Sequence, residues 1–94
     1  MLLTLRVELP GETYEVSTNL YVVVQWERRF KRKASDMATG IGVEDLAYLA
    51  WESAKAAKIV VPAAFEDYLK KLVNIEVVSK DDENPTQAAP IDDN

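Results

Sequence analysis

The sequence predicts a mainly helical α+β domain: an N-terminal β-hairpin, three main helices and, near 75–78, a short apolar run suited to a third strand. Three observations carry this. Apolar residues alternate at a period of two on the approach to Pro10-Gly11, they recur at helical spacing in three later segments, and polar residues dominate 79–94. A chain of 94 residues suits one folded domain, here 1–78, because it has too little core to divide in two.

The hairpin is expected over 2–16. Leu3, Leu5, Val7 and Leu9 alternate with Thr4, Arg6 and Glu8, which sends the apolar set to one face of a strand. Proline presets φ and glycine tolerates positive φ, so Pro10-Gly11 is a turn signal, and Thr13 to Val16 supplies the returning strand. Two strands alone are marginal in water, so their apolar face must rest on helices.

Ser17, Thr18 and Asn19 offer side-chain oxygens to the free N–H groups of a helix expected over about 19–33. At 100° per residue Leu20, Val22, Val23, Trp26 and Phe30 share a broad face, with Tyr21, Gln25, Arg28, Arg29 and Arg32 opposite. Ala34 to Thr39 suits a helical turn or a loop, and Gly40-Ile41-Gly42 breaks the helical pattern. A second helix is expected over 43–58, with Leu46, Leu49, Ala50, Ser53 and Ala57 inward, acids at its start and lysines at its end. Its many alanines allow neighbouring helices close approach, which makes it the expected centre of the domain. A third helix, 62–73, takes Pro62 in its first turn and turns Phe65, Tyr68, Leu69, Leu72 and Val73 inward. Ile75, Val77 and Val78 are β-branched, and this run suits either a strand beside the hairpin or unpaired packing. The segment 79–94, acidic and proline-containing, offers little to bury and is expected to be a flexible tail. The expected core anchors are Trp26, Phe30, Leu46, Leu49, Phe65 and Leu69.

Composition excludes several function classes. Histidine and cysteine are absent, which removes the commonest general base, thiolate chemistry and any disulfide framework. The acidic pairs Glu44-Asp45 and Glu66-Asp67 point about 100° apart on a helix and do not converge on one ion, and Asp81-Asp82-Glu83 lacks the glycine of a calcium loop. These are expected to be solvated or capping charges. No catalytic residue, metal or cofactor is expected, and no phosphate-binding glycine loop is present. No apolar run approaches membrane-span length, and MLLTLRVEL carries no basic leader, so a soluble protein is expected, with no membrane partner.

Two features point outward. On the helical projection Tyr48 and Trp51 fall beside Lys55, outside the Leu46-Leu49-Ala50 stripe. Two roles are open to them: sealing a small domain, or contacting a partner, where both residue types are enriched. Arg28 to Lys33 holds five bases in six positions. Solvated helix end, docking patch for an acidic protein and phosphate contact are the alternatives. A net charge of -5 and the commitment of Phe30 to the core disfavour nucleic acid.

The stretches QWERRF, EDLAYLAWESAK and FEDYLKKLVNIEVV, followed by NPTQAAP, resemble in order and texture the tail assembly chaperones of long-tailed bacteriophages, particularly those infecting actinobacteria. The resemblance spans roughly Gln25 to Pro90 and implies a protein of the host cytoplasm, absent from the mature virion. It would bind the long helical tape measure protein and keep it soluble while tail tube protein assembles around it. It also implies a short form, paired with a frameshifted longer one that 79–94 would tether. For such a partner the expected contact residues are Tyr48, Trp51, Lys55, Arg28, Arg29 and Arg32, read from the residues and not from a family motif. Self-association is permitted by the alanine-rich helix. A structural head-tail connector or tail-terminator subunit is the alternative from another class, and a nucleic-acid-associated regulator is a third.

Overall fold

A computed structural model describes residues 2–38 and 40–81. Strand β1 (Leu2–Leu9) turns at Pro10-Gly11 into β2 (Glu12–Ser17), with Leu9 opposite Glu12 and Leu5 opposite Val16. Gly11 has φ 76°, which an L side chain adopts only at a cost, and with Pro10 before it the turn follows the type II pattern. Helix α1 (Leu20–Phe30), a 3-10 turn (Ala34–Ala38), α2 (Val43–Ala56) and α3 (Phe65–Lys71) come next, and β3 (Asn74–Asp81) closes the chain's described part.

The strand order is β2-β1-β3, all antiparallel, so β1 is central and β3 lies on the edge opposite β2. The run near 75–78 is thus a paired strand and longer than expected: it takes in Ser79 to Asp81, three residues whose polarity assigns them to the tail. Leu5 faces Val77 while Thr4 faces Ser79, leaving Val78 as a bulge. The remainder of the expected tail, 82–94, lies outside the described residues. Leu3, Leu5, Val7 and Val16 are buried beneath the helices, and Ile75 and Val77 pack at the margin of the same core. On the open face Arg6 spans all three strands, bonded to Glu15 at 3.2 Å and Glu76 at 2.8 Å.

Each helix is shorter than its apolar pattern. Asn19 caps α1, its side chain accepting from Val22 N–H at 2.9 Å. The helix stops at Phe30, not 33, because Lys31 adopts the left-handed conformation (φ 57°) and its N–H returns to the Glu27 carbonyl. A lysine there carries no sequence signal. A contact three residues downstream holds it: the Glu27 carboxylate accepts from Ala34 N–H at 2.6 Å, turning the chain away from the helix axis. Helix α2 ends at Ala56 with Lys58 also left-handed. Helix α3 begins at Phe65, not 62; Pro62 lies in the connection before it and gives its carbonyl to the Trp51 indole N–H at 2.9 Å.

Helix α2 touches α1, α3 and all three strands. Asp45, Ala47, Tyr48, Leu49, Ala50, Trp51, Ser53 and Ala54 are buried along it, which makes it the centre of the fold, as its composition predicts. Among the expected anchors Trp26, Leu49 and Phe65 are buried, while Phe30, Leu46 and Leu69 are half-buried at the core's margin. Leu20 and Val73, expected inward, are 78% and 65% exposed. Leu20 lies at the margin of a face that the packing narrows to Val22, Val23 and Trp26, and Val73 sits between α3 and β3, beyond the inward stripe.

Candidate functional site

Five aromatic residues from three helices meet in one cluster. The Trp26 and Phe30 rings of α1 lie 6.2 Å apart, and Phe30 meets Tyr48 of α2 edge-on at 5.6 Å. Tyr48 meets Phe65 of α3 at 5.4 Å, again edge to face, and Trp51 lies 5.8 Å from Tyr48 and 5.4 Å from Phe65. Tyr68 is fully buried one turn further along α3, and its hydroxyl lies 2.8 Å from that of Tyr14 on β2. Ring edges set against ring faces contribute beyond area burial, so the cluster fixes the relative placement of the helices.

This corrects the expectation for two contact residues. Tyr48 and Trp51 are 5% and 8% exposed, so neither offers an aromatic face to a partner, and of the two roles they take the sealing one. A helical projection assumes one apolar stripe, whereas α2 has neighbours on several sides and buries nearly its whole circumference. The Tyr48 hydroxyl is engaged as well, with Oη donating to Glu52 at 2.8 Å. Burial pushes that hydroxyl up to about 12, the bond to Glu52 adding to the shift and Arg29 opposing it.

The cations are placed against this cluster. The Arg29 guanidinium carbon lies 5.0 Å from the centre of the Phe65 ring and 5.1 Å from that of Tyr48. The Lys55 ammonium sits 3.7 Å from the centre of Trp51 and 3.5 Å from Glu52. Arg32 lies over Trp26 at 5.4 Å, 3.5 Å from Asp45, and donates to the Gly40 carbonyl at 3.2 Å. It therefore ties the end of α1 to the start of α2 and is not part of an outer patch. Arg28 is exposed on α1. The six expected contact residues are thus divided: two in the core, one in an interhelical tie, and Arg28, Arg29 and Lys55 at the surface.

For Asp45 the sequence expectation is a solvated or capping charge. It does cap, accepting from Gly42 N–H at 2.8 Å, but it is 8% exposed and also accepts the Trp26 indole N–H at 2.9 Å. Leu20 and Tyr21, neither of them among the expected contact residues, are 78% and 62% exposed. With Val24 and Arg28 they make the outward face of α1. Tyr21 is legible as an aromatic on the polar side of the helix, whereas the helical projection sends Leu20 to the core.

Two hollows of about 260 and 290 Å³ open elsewhere, one lined by Leu9, Pro10, Val61, Pro62 and Tyr68, the other by Val43, Leu69, Val73 and Ile75. The first also has Glu12 and Lys71 in its lining beside Tyr68, and the second is lined by no titratable side chain. Among the described residues no three carboxylates are grouped to hold a metal, and no helix is long and apolar enough to cross a membrane. Fold and surface together define a small α+β domain with a closed aromatic core and one helix face that is apolar at its start and cationic at its end. Comparison with family models, with curated proteins and with solved structures returns no match.

Proposed function

We propose that this chain is a tail assembly chaperone of a long-tailed bacteriophage, a binding protein and not an enzyme. It acts in the host cytoplasm, holds the tape measure protein soluble while tail tube protein assembles around it, and stays out of the finished virion. The observation that carries this reading is the convergence of the three stretches that bear the resemblance. QWERRF contributes Trp26, Arg29 and Phe30, EDLAYLAWESAK contributes Asp45, Tyr48, Trp51 and Lys55, and FEDYLKKLVNIEVV contributes Phe65 to one connected set of rings, cations and hydrogen bonds. Stretches that are separate in sequence work as one structural unit, so their joint occurrence has a physical reason. An exposed apolar and cationic helix face on a chain of net charge -5 supports a binding role, because net charge keeps a complex dispersed while the face makes contact.

Co-expression tests the reading. The tape measure protein is expected in the soluble fraction with this chain and in aggregates without it, and mass spectrometry of purified virions is expected to find the chain absent. Its presence at stoichiometric copy number would instead make it a structural subunit such as a connector or tail terminator.

A further inference from the structure

Of the four arginines, Arg6 and Arg32 are ion-paired to carboxylates. Arg28 and Arg29 have no carboxylate within 4.0 Å among the described residues, in a chain with more acids than bases. Arg29 is nevertheless held in place, because its guanidinium lies over the Tyr48 and Phe65 rings. A guanidinium already positioned loses less freedom when it takes a carboxylate. Toward its N-terminus α1 carries exposed Leu20 and Tyr21, with half-buried Val24 between them and Arg28 on the same outward face. A helix rises about 1.5 Å per residue, so the apolar end and the cationic end of this face are about 10 Å apart.

We propose that the outward face of α1 docks an acidic amphipathic helix of a partner protein, with a carboxylate on the exposed guanidinium of Arg28, flanked by Arg29, and an apolar side chain over Leu20 and Tyr21. Charge complementarity selects this occupant: Arg28 to Lys33 holds five bases in six positions, so the cationic end of this face attracts an acidic segment. The spacing sets the partner's pattern, an acid and a large apolar residue about two helical turns apart. The proposal rests on the chaperone reading for which protein supplies the segment, and on the geometry of α1 for where it binds.

The test uses the full chain and two kinds of probe: a synthetic helical peptide of about five turns with leucine and glutamate at that spacing, and the tape measure protein supplied by co-expression. The peptide is expected to shift the amide resonances of Leu20, Tyr21, Arg28 and Arg29, to bind more weakly as salt is added, and to lose its affinity when its glutamates are replaced by lysine. Arg29→Glu, Arg28→Glu and Tyr21→Ser are each expected to weaken binding about tenfold or more. The last two lie outside the core, and unchanged melting curves for them exclude unfolding as the cause. If the tape measure protein binds but tolerates all three substitutions, the docking face is overturned and the chaperone reading stands. If the peptide binds at α1 and the tape measure protein does not bind at all, the chaperone reading falls and the face stands. Failure of both probes, tighter binding of duplex DNA than of the peptide, or self-association that these substitutions abolish overturns the proposal.

Discussion

The indole N–H of Trp26 donates to the carboxylate of Asp45 at 2.9 Å inside the core, joining α1 to the first turn of α2. The second carboxylate oxygen takes the Gly42 N–H and faces Arg32 at 3.5 Å, so one side chain satisfies an indole, a helix start and a cation. Asp45→Ala strands a buried donor and removes the cap and the charge partner together, and is expected to cost about 2–4 kcal/mol. Asp45→Asn keeps an acceptor for Trp26 and should cost less. The urea midpoints of both variants against the parent chain check the order.

Tyr48 and Trp51 serve folding first. Replacing either by alanine empties a site inside the aromatic cluster and is expected to cost about 3–5 kcal/mol, a large part of the stability of a small domain. The double variant is expected to be unfolded by circular dichroism. Its loss of partner binding would then say nothing about a binding surface, whereas Tyr21→Ala, at an exposed position, is expected to shift stability by no more than about 0.5 kcal/mol.

Ser53 is 2% exposed and its hydroxyl has no hydrogen-bond partner among the described residues, on a buried stretch of α2 that also holds Ala50 and Ala54. Ser53→Ala removes an unsatisfied polar atom at almost no change in shape, so it is expected to stabilise by about 1 kcal/mol. Thermal melting should move upward by roughly 4–8 °C for a domain of this size. A drop in melting temperature would show that the hydroxyl is satisfied in solution.

Alkali should unfold the protein through its tyrosines. Burial raises the hydroxyls of Tyr48, Tyr68 and Tyr14 above the ordinary 10.0, for Tyr48 to about 12. A raised pKa means that the folded state holds the proton more tightly than the unfolded one. This contribution is complete below pH 10, diminishes as pH climbs from 10 toward 12, and is gone above the folded-state pKa values. Stability measured across that range is expected to fall, and in Tyr48→Phe to fall less steeply. An identical slope in parent and variant would remove Tyr48 from the account.

Much of the fold is legible because it is written in short-range patterns. Alternation in Leu3 to Leu9, the turn at Pro10-Gly11, the capping candidates Ser17, Thr18 and Asn19 and the acidic start and basic end of α2 all act within a few residues, so they can be read one after another; that Asn19 is the cap comes from the structure. The departures share a different cause. Lys31 ends α1 although nothing about a lysine signals a stop, because the Glu27 carboxylate captures the Ala34 N–H. Pro62 lies outside α3 because its carbonyl is taken by Trp51, eleven residues back. Ser79 to Asp81 belong to β3 because β1 provides an edge to pair with, whatever their polarity.

Local periodicity and side-chain size were thus enough to establish the α+β class, the order of elements, the central place of an alanine-rich helix and the commitment of Trp26 to the core. Which side of α2 faces outward emerged in three dimensions. A single helix has one apolar stripe, but a helix wedged between a sheet and two others buries nearly all of its surface, and that enclosure moved Tyr48, Trp51 and Asp45 inward. The same packing gave Arg29 rings to rest on and left Leu20 and Tyr21 in the open, so the surface available to a partner was set by long-range contacts that no window of residues contains.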